Sequence, residues 1–329
     1  MSNQVSSDEQ ALAVFPGALG DLVCFLPALK VLARRALVLL LCRHDLARLV
    51  DASTLAAAVP LEGREASWLF SSAPPAEAEE FFRRFAAVDC FSGFGVPEVE
   101  ANLRRWQGSR GRVHPFRPSQ PMHLAAHFLR CVTAEEPPHR LPEARLELRA
   151  EVVESARLRL ARRVNREGPL LVVHPGSGGQ TKRWSRDGFL AVAERWLRRR
   201  GRVAVVLGPA ERGEERAWQG DGVDVLADLE LVDLAVLLGG SAAYLGNDSG
   251  PSHLAGAVGA SGVALFGPTD RERWRPLSAG IEALRVEPWS AYGERAPSSA
   301  IDAVDQALAR TASAVQPAEP LLDKVGTRH

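Results

Sequence analysis

Short apolar runs, each followed by a polar turn and then by a stretch with helical spacing, recur along the chain. The first begins at Ala11 to Phe15, turns through Pro16-Gly17-Ala18-Leu19-Gly20-Asp21, continues amphipathically to Arg35 and re-enters an apolar run at Ala36 to Cys42. Strand, turn, helix and strand in that order predict two parallel neighbours. Residues 51 to 110 are less regular, with a helix predicted around Glu77 to Ala87 and a strand from Val88 to Phe94. Prolines between Thr133 and Pro142 break any helix ahead of a helix-patterned run from Glu151 to Val164. The break predicts domains over 1–148 and 149–329.

The second half alternates more plainly. Strands are predicted at Leu170 to His174, Val203 to Leu207, Ala243 to Gly246 and Val263 to Phe266. Helices are predicted from Ser185 to Arg200, through Trp218, around Leu231 to Leu238, from Pro251, and from Ala300 to Ala314, with a loose tail beyond Pro317. This alternation belongs to the α/β class: two Rossmann-like domains with parallel sheets facing a central cleft, an arrangement suited to a nucleotide-linked substrate.

Composition narrows the class. The 329 residues suffice for two domains, and 46% hydrophobic and 24% charged residues with a mean hydropathy of -0.09 fit an ordinary globular chain. A formal charge of +0 argues against a nucleic-acid partner. Cys24, Cys42, Cys90 and Cys131 are widely spaced, without zinc-site spacing, and read as buried free thiols of a reducing compartment. The polar opening MSNQVSSDEQ is unlike a secretory leader, and the longest apolar run, Ala36 to Cys42, is too short to span a bilayer. A cytoplasmic protein without a transmembrane segment is expected, with room for peripheral contact at the inner face of the membrane.

Candidate chemistry sits at strand ends. In HPGSGGQTKRW, from His174 to Trp184, glycines allow backbone amides to approach a phosphate closely. Lys182, one of three lysines in an arginine-rich chain, adds a compact charge. A solvated turn is the plainer alternative. In LGNDSGPSH, Ser249 or Gly250 can cap a helix that Pro251 starts and that carries His253 in its first turn, offering free N–H groups to an anion. Asp248 and Ser249 read equally well as simple capping residues.

Glu211, following Leu207-Gly208-Pro209-Ala210, suits a ribose hydroxyl pair, with Glu214 and Glu215 as competitors. Asp21 is placed for a general base acting on an acceptor hydroxyl, or for capping its helix. Arg104, Arg105, Arg110, Arg112 and Arg117 form the densest basic segment of the first domain, able to hold an anionic acceptor or to form a solvated face. A dehydrogenase is disfavoured, because Gly17-Ala-Leu-Gly20 lacks the GxGxxG spacing.

Together and in this order, GALGDLVCFLPALKVL, HPGSGGQTKRWSRDGF, LGPAE and LGNDSGPSHLAGAVGASGVALFGPTD resemble glycosyltransferase family 9, the bacterial heptosyltransferases of lipopolysaccharide synthesis. The resemblance implies a GT-B fold and an inverting, metal-independent transfer of a sugar from a nucleotide-sugar donor, ADP-heptose in that family, to a glycolipid or other glycan acceptor, with no cofactor. Carried over by position, Asp21 matches the family's base and Lys182 its phosphate-binding lysine. Ser177 or Gly178 falls in the phosphate loop that runs to Thr181, Glu211 matches the ribose carboxylate, and Asp248, Ser249, Gly250 and His253 match the donor signature. Acceptor contacts are expected at Arg104, Arg105 and Arg112. A GT-B transferase or epimerase using another nucleotide sugar, or a non-catalytic sugar-nucleotide-binding protein, would share most of these features.

Overall fold

The computed structural model describes residues 10–164 and 168–313. The expected tail beyond Pro317 lies outside the described residues. The chain divides into two compact units, one running to Pro142 and including Leu146–Leu148, the other comprising Glu143–Arg145 and Arg149 onward.

In the first unit the elements follow as β1 (Gln10–Val14), α1 (Leu19–Ala33), β2 (Leu37–Cys42), α2 (His44–Asp51), β3 (Ala57–Pro60), α3 (Arg64–Leu69), α4 (Ala76–Arg83), β4 (Ala87–Cys90), α5 (Pro97–Gln107), β5 (Gly111–Val113) and α6 (Leu124–Thr133). Among the described residues the sheet has the order β3-β2-β1-β4-β5, all parallel. β1 is central because both its faces are apolar: Leu12, Ala13 and Val14 are at most 1% exposed. Around the end of β1, Phe15 stacks on Phe25 with ring centroids 4.6 Å apart, and Phe91, Phe116 and Phe128 close round them.

The second unit contains α7 (Ala150–Leu160), β6 (Leu170–His174), α8 (Arg186–Arg198), β7 (Arg202–Leu207), β8 (Val223–Ala227), α9 (Leu231–Gly239), β9 (Ala243–Asn247), α10 (Gly250–Ala257), β10 (Gly262–Phe266), α11 (Arg271–Trp274), β11 (Ile281–Arg285) and α12 (Ser298–Ser313). Its sheet runs β11-β10-β9-β6-β7-β8, again parallel. Trp184, Phe189 and Trp218 anchor the core on one face.

The predicted helix through Trp218 is a correction. Only two short 3-10 turns form there, Pro209–Glu211 and Glu215–Trp218. Gly213 between them takes a left-handed φ of 89°, which no continuous helix tolerates. The four cysteines are free, and three are buried as expected, with Cys131 half-buried. Burial pushes the Cys42 and Cys90 thiols up to about 12, so both stay neutral.

Each sheet has one place where the strand order reverses, and loops leaving the carboxyl ends of the two strands there diverge to leave a crevice. In the first unit this falls between β1 and β4, in the second between β6 and β9. The Gly17–Asp21 turn leaves β1, and the two phosphate-loop candidates leave β6 and β9.

Candidate functional site

β6 and β9 pair in register up to His174 opposite Gly246, so the two loops of the second unit start side by side. The lysine loop bulges away from β6 and returns at Trp184, whose side chain is fully buried. Asn247, the last residue of β9, closes this loop at both ends. Its Nδ2 donates to the Pro175 carbonyl at 2.8 Å, and its Oδ1 accepts from the Trp184 N–H at 3.0 Å. The next residue supplies the chemistry: Lys182 Nζ donates to Asp248 Oδ2 at 3.1 Å, and Ser177 Oγ donates to the Asp248 backbone oxygen at 2.9 Å. Ser249 then stands at the N-cap of α10, its side chain making no capping bond, with Pro251 in the first turn as predicted. His253 follows in that turn, 5% exposed.

Beside these loops lies a pocket of about 430 Å³. Ser177, Gly178, Ser249, Gly250 and Pro251 form its phosphate-like end, while Val206, Leu207, Leu231 and Leu234 supply apolar wall. That pairing of an amide-rich end with an apolar slot suits a nucleotide. A Cβ on Gly178 would meet nothing within 4 Å, so its backbone is open to approach.

Glu211 also lines the pocket and is 2% exposed, with Oε2 accepting from the Gly208 N–H at 3.0 Å. Its carboxylate lies against Gly176, where a Cβ would come within 2.6 Å. Of the three glutamates offered for ribose, Glu214 is committed elsewhere: Arg183 Nη2 donates to both its oxygens at 2.9 and 3.1 Å. Glu215 does not line the pocket and accepts from the Gly213 N–H. His174 lines the pocket floor, donating Nδ1–H to the Val206 carbonyl at 3.0 Å, and burial holds its pKa below 6.5. Thr181 is exposed and lies outside the pocket, with only its carbonyl engaged, by Trp289 Nε1.

In the first unit Asp21 occupies the third position of α1. Its Oδ2 accepts from the Ala18 N–H at 3.1 Å, and Arg117 Nη1 donates to Oδ1 at 2.8 Å. The N-cap of α1 is therefore Ala18 and not Asp21, which reaches back to the cap N–H from the third position while also accepting from Arg117. Gly17 is required by close approach, because a Cβ there would lie 2.5 Å from the Phe15 ring and 2.7 Å from Asp21 Cβ. Arg117 follows Phe116 of the aromatic cluster, its guanidinium carbon 4.7 Å from that ring's centroid, and His127 Nε2 donates to the Pro115 carbonyl just before it.

The other basic residues are placed differently. Arg104 and Arg105 are exposed on α5, where Arg105 lies 3.6 Å from Glu79. Arg112 is bound to Asp89 at 2.9 Å in a buried cluster that includes His114 Nε2 at 2.7 Å. The structure thus brings Arg117, and not Arg104, Arg105 or Arg112, onto Asp21. Asn247 and His174 escaped the sequence reading; the signal for Asn247 was its place immediately before Asp248 at a strand end.

Among the described residues no group of three His, Cys, Asp or Glu side chains is spaced to hold a metal ion, and no helix is long and apolar enough to cross a membrane.

Two Rossmann-like units, each a parallel sheet with one switch point, define the GT-B class of glycosyltransferase folds. Residues 119–300 match the description "Glycosyltransferase family 9 (heptosyltransferase)", and the chain belongs to that family. It is 33% identical over 105 residues to lipopolysaccharide heptosyltransferase 1 of Pseudomonas aeruginosa, a match covering 31% of this chain and 30% of that relative. The chain therefore matches under a third of this curated relative's length. Among solved structures, a family 9 glycosyl transferase from Veillonella parvula superposes with a TM-score of 0.73 at 16% identity, over 94% of this chain and 99% of the other. ADP-heptose lps heptosyltransferase II of Escherichia coli does so with 0.71 at 17%, over 93% and 98%. At these identities the superpositions speak for the fold.

Proposed function

We propose that the protein is an inverting, metal-independent glycosyltransferase that moves a sugar, heptose from ADP-heptose, onto an acceptor hydroxyl of a lipopolysaccharide core or related glycan at the inner face of the cytoplasmic membrane. The observation that carries the reading is the convergence of Lys182 and Ser177 on Asp248, two residues before α10, at the switch point and beside an apolar slot. A nucleoside fills that slot with its ribose hydroxyls toward Glu211. Its diphosphate meets the amides of Ser177 and Gly178 and of α10 from Ser249 and Gly250, with Lys182 as counter-charge. His253 and Asp248 then flank the sugar end.

In the reaction the acceptor oxygen attacks the anomeric carbon and the bond to the β-phosphate oxygen breaks. Asp21 takes the acceptor's proton, and the departing nucleoside diphosphate carries away the bonding electrons. Lys182 and the loop amides stabilise that developing charge in place of a metal ion. Arg117 orients the Asp21 carboxylate through its short contact. Arg104, Arg105 and Arg112 lie apart from Asp21, so Arg117 is the residue of the basic segment that this reading assigns to the acceptor side.

The test has two parts on the full chain. Thermal unfolding is followed with ADP, UDP and GDP, and selective stabilisation by ADP is expected. Sugar transfer is then assayed for Asp21→Asn, which should lose turnover while keeping the ADP-induced shift. Preference for UDP would overturn the donor assignment, and full turnover by Asp21→Asn would overturn the base.

A further inference from the structure

Within the lysine loop the Lys182 N–H donates to the Gly179 carbonyl at 3.1 Å, but Gly178 and Gly179 have nothing packed where a side chain would be. The loop is held from outside by a segment distant in sequence. Residues 289–294, just past β11, run beside residues 181–185, joined by an antiparallel bridge between Trp184 and Ala291. The Ser185 N–H donates to the Ser290 carbonyl at 2.9 Å, and Ser185 Oγ donates to the Glu294 carbonyl.

The carbonyls of the two residues on either side of Lys182 are each held by a residue of this segment. Trp289 Nε1 donates to the Thr181 carbonyl at 3.1 Å, on the amino side. The Tyr292 N–H donates to the Arg183 carbonyl at 2.9 Å, on the carboxyl side. Trp289 is itself seated against backbone: a Cβ on Gly267 would overlap its ring. Tyr292 carries the Arg183 guanidinium 3.7 Å above its ring centroid.

Arg183 extends the brace to a third loop. Its side chain is 7% exposed and donates to both Glu214 oxygens, while the Tyr292 hydroxyl donates to Glu214 as well. Burial pushes the Glu214 carboxyl up, but the Arg183 and Tyr292 donors outweigh it and the net shift is downward. Glu214 sits three residues beyond Glu211, so the loop that carries the pocket carboxylate is tied to the loop that carries the lysine.

We infer that Trp289, Tyr292, Arg183 and Glu214 form a brace whose task is to set the reach of Lys182 onto the second phosphate of the donor, and that they are positioning residues for that contact. The inference rests on the nucleotide-sugar reading above. A buried guanidinium that is stacked and doubly bonded loses little freedom, which is what holding a single flexible lysine over one phosphate demands. The bonds of the brace are made to Thr181, Arg183 and Glu214, none of which lines the apolar slot, so its loss should weaken the diphosphate contact before the nucleoside contact.

The experiment compares ADP with AMP, by calorimetric binding to the full chain, for the parent, Trp289→Phe, Glu214→Ala and Glu214→Gln. The parent should bind ADP more tightly than AMP. Trp289→Phe and Glu214→Ala should lose about tenfold in ADP affinity, the scale of one charge-assisted contact, while AMP affinity stays within about twofold. Glu214→Gln keeps an oxygen for Arg183 and Tyr292 and should restore most of the difference. Equal losses for ADP and AMP would mark a merely structural role and overturn the inference, as would no loss of either. If the parent itself does not distinguish ADP from AMP, the diphosphate reading fails, and that result is distinct because it needs no variant.

Discussion

Replacing Asn247 tests whether one buried amide holds the lysine loop. The side chain is fully buried and joins both ends of that loop, at the Pro175 carbonyl and the Trp184 N–H. Asn247→Ala leaves that carbonyl and that N–H without a partner, and both belong to buried residues. An orphaned buried polar group costs about 1–3 kcal/mol, so the pair comes to roughly 2–6 kcal/mol. For a unit of this size each kcal/mol lowers Tm by about 2–4 °C, which predicts a fall on the order of 5–20 °C.

Asn247→Asp is the sharper variant. It keeps the shape and an acceptor for Trp184, but its second oxygen faces the Pro175 carbonyl with no hydrogen to give. The aspartate must either remain charged in a buried position or take up a proton, so its loss should equal or exceed that of alanine. The neighbouring Asp248→Asn is the control, because its contact with the half-buried Lys182 contributes about 1 kcal/mol or less to folding. Thermal unfolding followed by tryptophan fluorescence reads all three, with and without ADP. An Asn247→Asp protein that melts within about 1 °C of the parent would refute the double clamp.

Two further outcomes follow from packing and burial. Gly17→Ala should cost about 1–3 kcal/mol in urea unfolding, since its Cβ would overlap the Phe15 ring and Asp21, whereas Gly178→Ala, with open space around it, should stay within about 0.5 kcal/mol; equal midpoints for the two would contradict the aromatic seat. Burial lowers the His174 pKa, so the folded state declines a proton that the unfolded chain accepts below pH 6.5. Stability is therefore complete above that pH and falls below it, by up to about 1.4 kcal/mol per pH unit for this group, until the folded pKa is reached. His174→Asn should flatten the slope between pH 6.5 and 5; His127, also lowered by burial, keeps its own share in the first unit. Superimposable pH profiles for parent and variant would argue against a neutral buried His174.

Strands bounded by sharp polar turns were legible in the sequence. Leu170–His174 forms as the apolar run indicates, and β7 and β9 differ by a residue at one end. The two outer strands of the second sheet, Val223–Ala227 and Ile281–Arg285, gave no such signal because edge positions are half-wet and admit Asp224, Glu282 and Arg285 into the pattern. α6 is amphipathic but lacks the usual end signals, since His123 serves as its N-cap and Ala134, not a glycine, takes the left-handed C-cap. For the site, residue types were readable and partners were not. Nothing local to Arg112 and Arg117 distinguishes a guanidinium locked on buried Asp89 from one set on Asp21, since the choice is made by β5 pairing with β4 and by the aromatic cluster under Phe116. Likewise the motif that carries Asp248 drew attention past Asn247, whose role exists only once β6 and β9 lie side by side.

The pairings within each unit bear on how a substrate would be received. Asp21 is already bound by Arg117, and Lys182 by Asp248, so the charge that a ligand needs is satisfied in advance by the protein. A donor diphosphate drawing Lys182 would therefore exchange one ion pair for another, and the gain is the difference between them. Such an exchange lowers affinity for a stray single anion, which offers Lys182 about what Asp248 offers. Under the proposed function a nucleoside diphosphate would escape that limit, because it would also fill the apolar slot and meet the α10 and loop amides. Discrimination would then come from requiring the whole ligand, and on the proposed function a chain of zero net charge would serve an anionic donor through a few local positive groups, released only to a ligand that meets the rest of the site.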